Sequence, residues 1–391
     1  MAEHDPLRFA ADLSAKLATK SRHVCTFLGA GVARACGLPD VTELEDRVLK
    51  VLAKEHQEAF QLQLSGRNLE QALSRLRRIA ALLEDEQQID GLGADDAAAV
   101  DAAVCEAIVR ELDIAEADLA PVLGLAAWVA RADYRAPVEL FTVNYDLLIE
   151  TALEKLRVPY FDGFVGNLRA RFHTELVEGT SESGRDFVPR FFARLWKLHG
   201  SVNWEWEKGQ QIVRLGHPVD EGLAAAIYPS DTKYEESRRV PFVVLQDRLR
   251  RALNTPETLV LIAGYSFEDD HLNEMLFDSA AKRERSEFIA FCFSEIPDAL
   301  ADKAATTPNL QVVTGSEAIL GGIRQNWKPP QDPPPDLWVD GKLGLRDFRH
   351  LGAYLARSAT REPERDTLLN ELLGRISPEA AEPKPSEADG A

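Results

Sequence analysis

Thirteen residues near the amino terminus, Leu28 to Asp40, constrain what this chain can fold into more than any other stretch. They read LGAGVARACGLPD and follow the apolar run His23-Val24-Cys25-Thr26-Phe27-Leu28, which reads as a buried strand. Gly29 and Gly31 allow a tight turn and close approach to a ligand, with no Cβ in the way. Helical spacing resumes near Thr42, a residue type that caps helices. Strand, glycine turn and helix together offer free backbone N–H groups to a phosphate. From these residues alone, a structural turn reads equally well.

Three later stretches repeat the pattern of a strand that ends in polar or glycine punctuation. Pro137 stops a helical region, and Val138 to Val143 is short and β-prone, with Asn144 and Asp146 at its carboxyl end. The run from Ala193 to Ser201 reads as a strand ending in His199-Gly200, and Thr258 to Ala263 ends in Gly264-Tyr265-Ser266. Open parallel sheets bind ligands at the carboxyl ends of their strands. The expected fold is therefore α/β: a Rossmann-like parallel sheet flanked by helices. A helical insert after the first strand spans about 42–131, and a C-terminal helical extension follows the sheet. Within the insert Asn68 is positioned to cap a helix, and Arg75, Arg77 and Arg78 read as a solvated face. Residues 160–190 read as irregular, Val202 to Trp206 and Gln211 to Leu215 as a hairpin, and Leu310 to Thr314 as the last strand. The main domain is read as 1–326, a proline-rich arm as 327–342, the helical extension as 343–376 and a disordered tail as 377–391.

The 391 residues carry a formal net charge of −19, which opposes adhesion to nucleic acid or anionic membrane. No direct nucleic-acid binding is expected. The amino terminus lacks an apolar signal core, and no run of about 18 apolar residues could cross a bilayer. A cytoplasmic protein follows from this reading. Cys25, Cys36, Cys105 and Cys292 include no Cys-x-x-Cys pair, so no metal is expected.

Taken in order, GAGVARACGLPD, TVNYD, KLHGS and GYS resemble the sirtuin-like superfamily. Orthodox sirtuins have Gly-Ala-Gly with Gly-Ile-Pro-Asp, then Gln-Asn-Ile-Asp, His-Gly and Gly-Thr-Ser. The resemblance covers roughly Ser21 to Thr314 and is nearest to bacterial sirtuin-like domains of anti-phage defence systems. The four-cysteine zinc module of protein deacylases is missing. Val41-Thr42 replaces Phe-Arg, and Val143 replaces glutamine.

The resemblance implies NAD as substrate, cleaved at the nicotinamide–ribose bond, with residues 1–326 as an NAD-binding domain. Such cleavage leaves an oxocarbenium-like sugar and expels a leaving group that is already cationic. Asn144, His199 and Asp146 are the candidate catalytic residues. Asn144 can orient ribose hydroxyls or water, His199 can accept a proton near neutrality, and Asp146 can favour developing positive charge. Gly29, Ala30, Gly31 and Val32 are expected to hold the diphosphate, Asp40 the ribose or nicotinamide, and Gly264 and Ser266 the adenosine side. Each has a plainer reading: Asn144 as a turn residue, Asp146 as the cap of the following helix, His199 as a satisfied core histidine. A non-catalytic NAD- or ADP-ribose-binding assembly subunit and, less favoured, an NAD-dependent deacylase are the competing functions. The resemblance further implies a homo-oligomer, with a partner ATPase of the HerA type or a short Argonaute as candidate partners. The helices after the proline-rich arm are its expected assembly surface.

Overall fold

Val24–Leu28 and Leu259–Ala263 are buried at every position, because each lies in the middle of a sheet covered on both faces. The computed structural model describes residues 3–84, 87–179, 192–207, 211–220, 225–227 and 240–358. Its strands, in chain order, are β1 (Val24–Leu28), β2 (Glu139–Thr142), β3 (Tyr160–Phe161), β4 (Phe164–Val165), β5 (Arg169–Phe172), β6 (Ala193–Lys197), β7 (Gly200–Glu207) and β8 (Gln211–Leu215). They continue with β9 (Ala225–Ile227), β10 (Leu259–Ala263), β11 (Glu287–Phe291), β12 (Leu310–Val313), β13 (Glu317–Leu320), β14 (Ile323–Asn326), β15 (Trp338–Val339) and β16 (Lys342–Leu343).

The main sheet has the order β14-β13-β12-β11-β10-β1-β2-β6-β3. From β12 across to β3 every pairing is parallel, and β13 and β14 close one edge antiparallel. This is the doubly wound α/β architecture expected from the sequence. Side chains alternate between its faces. Val24, Leu28, Leu140 and Leu261 join one core cluster; Cys25, Phe27, Phe141 and Ile262 join the other.

Helices α1 (Pro6–Leu17) and α2 (Ala30–Ala35) flank β1, and α3 (Val41–Val51), α4 (Lys54–Leu64), α5 (Leu69–Leu82) and α6 (Ala94–Glu111) follow. Asn68 caps α5 through a reciprocal box with Gln71, as its side chain allows. Helix α3 is capped by Asp40 rather than by Thr42, because the Asp40 carboxylate accepts the Glu43 amide at 3.0 Å. Arg77 is not on a solvated face. It pairs with Asp101 at 2.9 Å and donates to the Ile227 carbonyl at 2.9 Å.

Helix α7 (Ala120–Arg131) leaves the insert and returns to the main sheet, where Val122, Leu125 and Trp128 join the first core cluster. The insert proper is thus α3 to α6. Its apolar stripe packs on a second, antiparallel sheet of order β4-β5-β8-β7-β9, with Leu69, Leu73, Leu76 and Val104 meeting Val202, Val213 and Ile227. That sheet contains the expected hairpin, now β7 and β8, and brings strands β4 and β5 to a region read as irregular. A further hairpin, β13 and β14, follows the strand read as last.

The remaining helices are α8 (Leu148–Lys155), α9 (Thr174–Glu178), α10 (Phe242–Leu253), α11 (Asp270–Lys282), α12 (Asp298–Thr306) and α13 (Phe348–Ser358). The stretch from Trp327 to Leu345 is no detached arm, since Trp327, Leu337, Leu343 and Leu345 are buried in the first core cluster. Helix α13 lies on α7 so closely that a Cβ on Gly352 would meet the Pro121 carbonyl at 2.3 Å. Its apolar face, Phe348, Leu351 and Leu355, is therefore covered by the chain itself and is no open assembly surface. Residues 359–376 of the expected extension, and the expected tail at 377–391, lie outside the described residues. All four cysteines are free and buried.

Candidate active site

The strand order reverses direction between β1 and β10. The chain leaves β1 towards β2 and leaves β10 towards β11, on opposite sides. Such a switch point opens a crevice at the carboxyl ends of the two strands. Gly29 follows β1 there, and Gly264 follows β10. The two turns touch, with the Gly29 amide donating to the Ala263 carbonyl at 3.0 Å and the Gly31 amide to the Gly264 carbonyl at 2.8 Å.

This contact explains the glycines. A Cβ on Gly29 would lie 2.5 Å from the Gly264 oxygen, and one on Gly31 would lie 2.6 Å from the Gly264 Cα. Gly264 itself has φ +65°, a left-handed conformation that disfavours side chains. Backbone-to-backbone packing thus already demands glycine, before any ligand is considered. The Val32 amide donates to the Gly29 carbonyl at 3.0 Å, so the amides of Gly29, Gly31 and Val32 are all engaged within the chain. A diphosphate held at this turn would have to compete with those bonds. Ala30, half-buried, opens α2.

Asn144 joins this turn. It follows β2, beside β1, and its carboxamide Nδ2 donates to the Gly29 carbonyl at 3.1 Å. Its amide donates to Thr142 Oγ1 at 3.0 Å, which fixes the backbone. Lys197, buried at the end of β6, braces the same loop by donating to the carbonyls of Tyr145 and Asp146 and to the Glu150 carboxylate. Asp146 accepts the Leu148 amide at 3.0 Å just before α8, whose N-cap position is taken by Leu147. Burial pushes the Asp146 carboxyl above the usual range, against the pull of Lys197.

His199 sits where the chain passes from the main sheet into the second one. Gly200 makes that passage possible, with φ +92° and a Cβ position 2.0 Å from the Ala226 oxygen. Register pairs Thr142 with Lys197, so Asn144 and His199 emerge from the carboxyl ends of neighbouring strands. The imidazole is buried between two carboxylates, with Nδ1 3.3 Å from Glu70 Oε1 and Nε2 3.5 Å from Asp269 Oδ2. Burial pulls its pKa down, but Glu70 and Asp269 outweigh that and raise it to about 10. Both carboxyls are held below their usual range by the imidazolium, against the opposing effect of burial. The expectation that His199 titrates near neutrality is therefore corrected: in this arrangement it is a cation at pH 7, unable to take a proton.

Neither carboxylate was singled out from the sequence. Asp269 caps α11, with Oδ1 accepting the amides of His271 and Leu272. Glu70 lay in a helix more than a hundred residues away and carried no local signal. Its Oε1 also accepts the Tyr145 hydroxyl at 2.7 Å, which ties it to the residue after Asn144. Tyr265 packs edge-on against Phe27 and donates to Asn273 Oδ1 at 3.0 Å.

Two of the expected residues stand apart in role. Asp40 caps α3 and pairs with Arg34, and Ser266 is exposed beyond the Gly264 turn. Clefts of about 450 and 230 Å³ lie beside Tyr160 and between α10 and α11, and neither is lined by Asn144 or His199. Asn144 and His199 are both buried. Among the described residues, no group of three or more His, Cys, Asp or Glu is arranged to hold a metal ion, and no helix is long and apolar enough to cross a membrane.

No curated protein matches the chain. A solved structure described as "The Structural basis for Sirtuin Substrate affinity" is similar at 14% identity and a TM-score of 0.34, covering 75% of this chain and 88% of that one. The family model described as "SIR2-like domain" matches residues 138–312. From Val138 to Val312, a span that contains Asn144, Asp146, His199, Gly264 and Ser266 but begins after the Gly29 turn, the chain is thus similar to the SIR2-like domain.

Proposed function

We propose that the chain is an NAD+ glycohydrolase, cleaving the nicotinamide–ribose bond to give nicotinamide and ADP-ribose. Members of the SIR2-like family are NAD-dependent enzymes, and the matched span contains all three candidate catalytic side chains. The observation that carries the reading is the Asn144 carboxamide reaching the glycine turn at the switch point, on the strand next to the one that ends at His199. A dinucleotide laid across that crevice would place its N-glycosidic bond beside both groups.

Nicotinamide leaves as a neutral base from a cationic ring, so no acid is needed to expel it. The protein must orient the ribose, shield the oxocarbenium-like carbon and admit one water. Asn144 supplies a neutral donor and acceptor for hydroxyl or water. Asp269 places negative charge near the developing cation. His199 serves as base only after one of its two carboxylate neighbours withdraws.

In this reading the hydrolase is the cytoplasmic effector of a bacterial anti-phage defence system, held inactive until triggered. It acts as a homo-oligomer, and a HerA-type ATPase or a short Argonaute is its candidate partner. Purified chain, alone or after activation, is expected to release nicotinamide from NAD, and Asn144→Ala and His199→Ala each to lower release by about 100-fold or more. Undiminished release in both variants would remove the mechanism.

A second reading, an NAD- or ADP-ribose-binding subunit without turnover, is favoured by the occupation of both ring nitrogens of His199. Tight nucleotide binding measured by calorimetry, with no product by chromatography over hours, selects it.

A further inference from the structure

We propose that Glu70 is a further residue of this site, a positioning residue that acts through His199: from the helical insert it fixes the imidazole and decides whether the ring can accept a proton. Glu70 is the second residue of α5, whose start is anchored by the capping box of Asn68 and Gln71. One oxygen, Oε1, both accepts the Tyr145 hydroxyl at 2.7 Å and faces His199 Nδ1 at 3.3 Å. The glutamate therefore bridges the segment after Asn144 to the imidazole.

The two carboxylates beside the ring are not equivalent. Asp269 is fixed, with Oδ1 held by two backbone amides of α11, while its buried Oδ2 lacks a hydrogen-bond partner and faces Nε2 at 3.5 Å. Glu70 is more exposed, 22% against 12%, and belongs to a helix whose apolar face packs with the second sheet rather than the main one. Glu70, unlike Asp269, caps no helix. An imidazole with a carboxylate at each nitrogen keeps both protons. Withdrawing Glu70 frees Nδ1 and leaves a single carboxylate at Nε2, the pairing that orients a histidine base. Among the described residues, the ionisable groups around the clamp include Tyr145 and Tyr265, with Arg77 and Cys105 beside Tyr145 and Asp270 near Tyr265. Burial first, and then nearby carboxylates, Glu70 for Tyr145 and chiefly Asp269 for Tyr265, hold both hydroxyls protonated.

The test reads the ring directly. In the full chain, the His199 imidazole is assigned by NMR against His199→Gln and titrated. The wild-type midpoint is expected near 10. Glu70→Gln is expected to lower it by about one to three pH units, and Tyr145→Phe, which keeps the carboxylate but loosens it, by less. A midpoint unchanged in both variants overturns the proposal. So does an Asp269→Asn variant that moves the midpoint while Glu70→Gln does not.

The catalytic consequence rests on the hydrolase reading. Nicotinamide release at pH 7 rises in Glu70→Gln, by about tenfold for each pH unit by which the midpoint falls, and its pH profile moves to lower pH by the same interval. Release that drops while the midpoint falls overturns the control of proton acceptance. A midpoint that falls with no release in any variant removes the hydrolase reading and leaves the hold of Glu70 on His199 standing.

Discussion

Lys197 shows how much of a site can depend on a residue that braces its backbone. Its buried ammonium gathers the Tyr145 and Asp146 carbonyls and the Glu150 carboxylate, and so sets the loop that carries Asn144. Lys197→Met should destabilise the chain by about 1–3 kcal/mol, because the half-buried Glu150 carboxylate and the Tyr145 and Asp146 carbonyls lose their donor. Urea unfolding checks this, and Lys197→Met with Glu150→Gln should recover part of the loss. His199 gives a pH signature. Its pKa is raised in the folded chain to about 10, so its contribution to stability is complete below its unfolded value near 6.5. That contribution declines as pH rises through 10. The wild-type urea midpoint should therefore fall more between pH 6.5 and 10 than that of His199→Gln. At this scale the sequence made Asn144 and His199 legible, since each ends a strand. It hid Glu70 and Lys197: a glutamate at the start of an amphipathic helix and a lysine before His-Gly look like ordinary solvated charges until the fold buries them.

Elements were legible where burial was double-sided. Strands β1, β2 and β10 read directly as short apolar or β-prone runs, and α5 from its Asn68 cap. The β13–β14 hairpin carried its own signal in Gly321-Gly322, both with φ > 0, as a two-residue turn of this kind requires. The second sheet was obscured for another reason: β4 and β5 are two and four residues long and sit in a charged, glycine-rich stretch. Helix α2, six residues long, was hidden inside the glycine motif it opens from. The closeness of α7 and α13 depends on two facing glycines, because a Cβ on Gly124 would lie 2.5 Å from the Gly352 oxygen. Gly352→Ala should separate these helices and lower stability by about 1–3 kcal/mol, read as a drop in the urea midpoint with an unchanged slope.

At the scale of the whole molecule, the carboxyl-terminal segment is part of the main core. Removing everything after Asn326 strips Trp327, Leu337, Leu343, Phe348 and Leu351 from that core. This truncation should lose cooperative unfolding by circular dichroism, whereas truncation after Ser358 should keep it. Native mass measurement on the longer truncate then tests whether residues 359–391 are needed for the proposed oligomer.

The buried cysteines are distributed one interior at a time: Cys36 beneath the first face of the main sheet, Cys25 and Cys292 beneath the second, Cys105 between the insert and the antiparallel sheet. Burial pushes the thiols of Cys36, Cys105 and Cys292 up to about 12, so an alkylating reagent meets almost no thiolate while the chain is closed. Cys36 and Cys105 are thus each a built-in clock for one compartment, and Cys25 and Cys292 share the third. If the insert lifts away on its own, Cys105 will be alkylated ahead of the other three, with no label to attach and no substrate to supply.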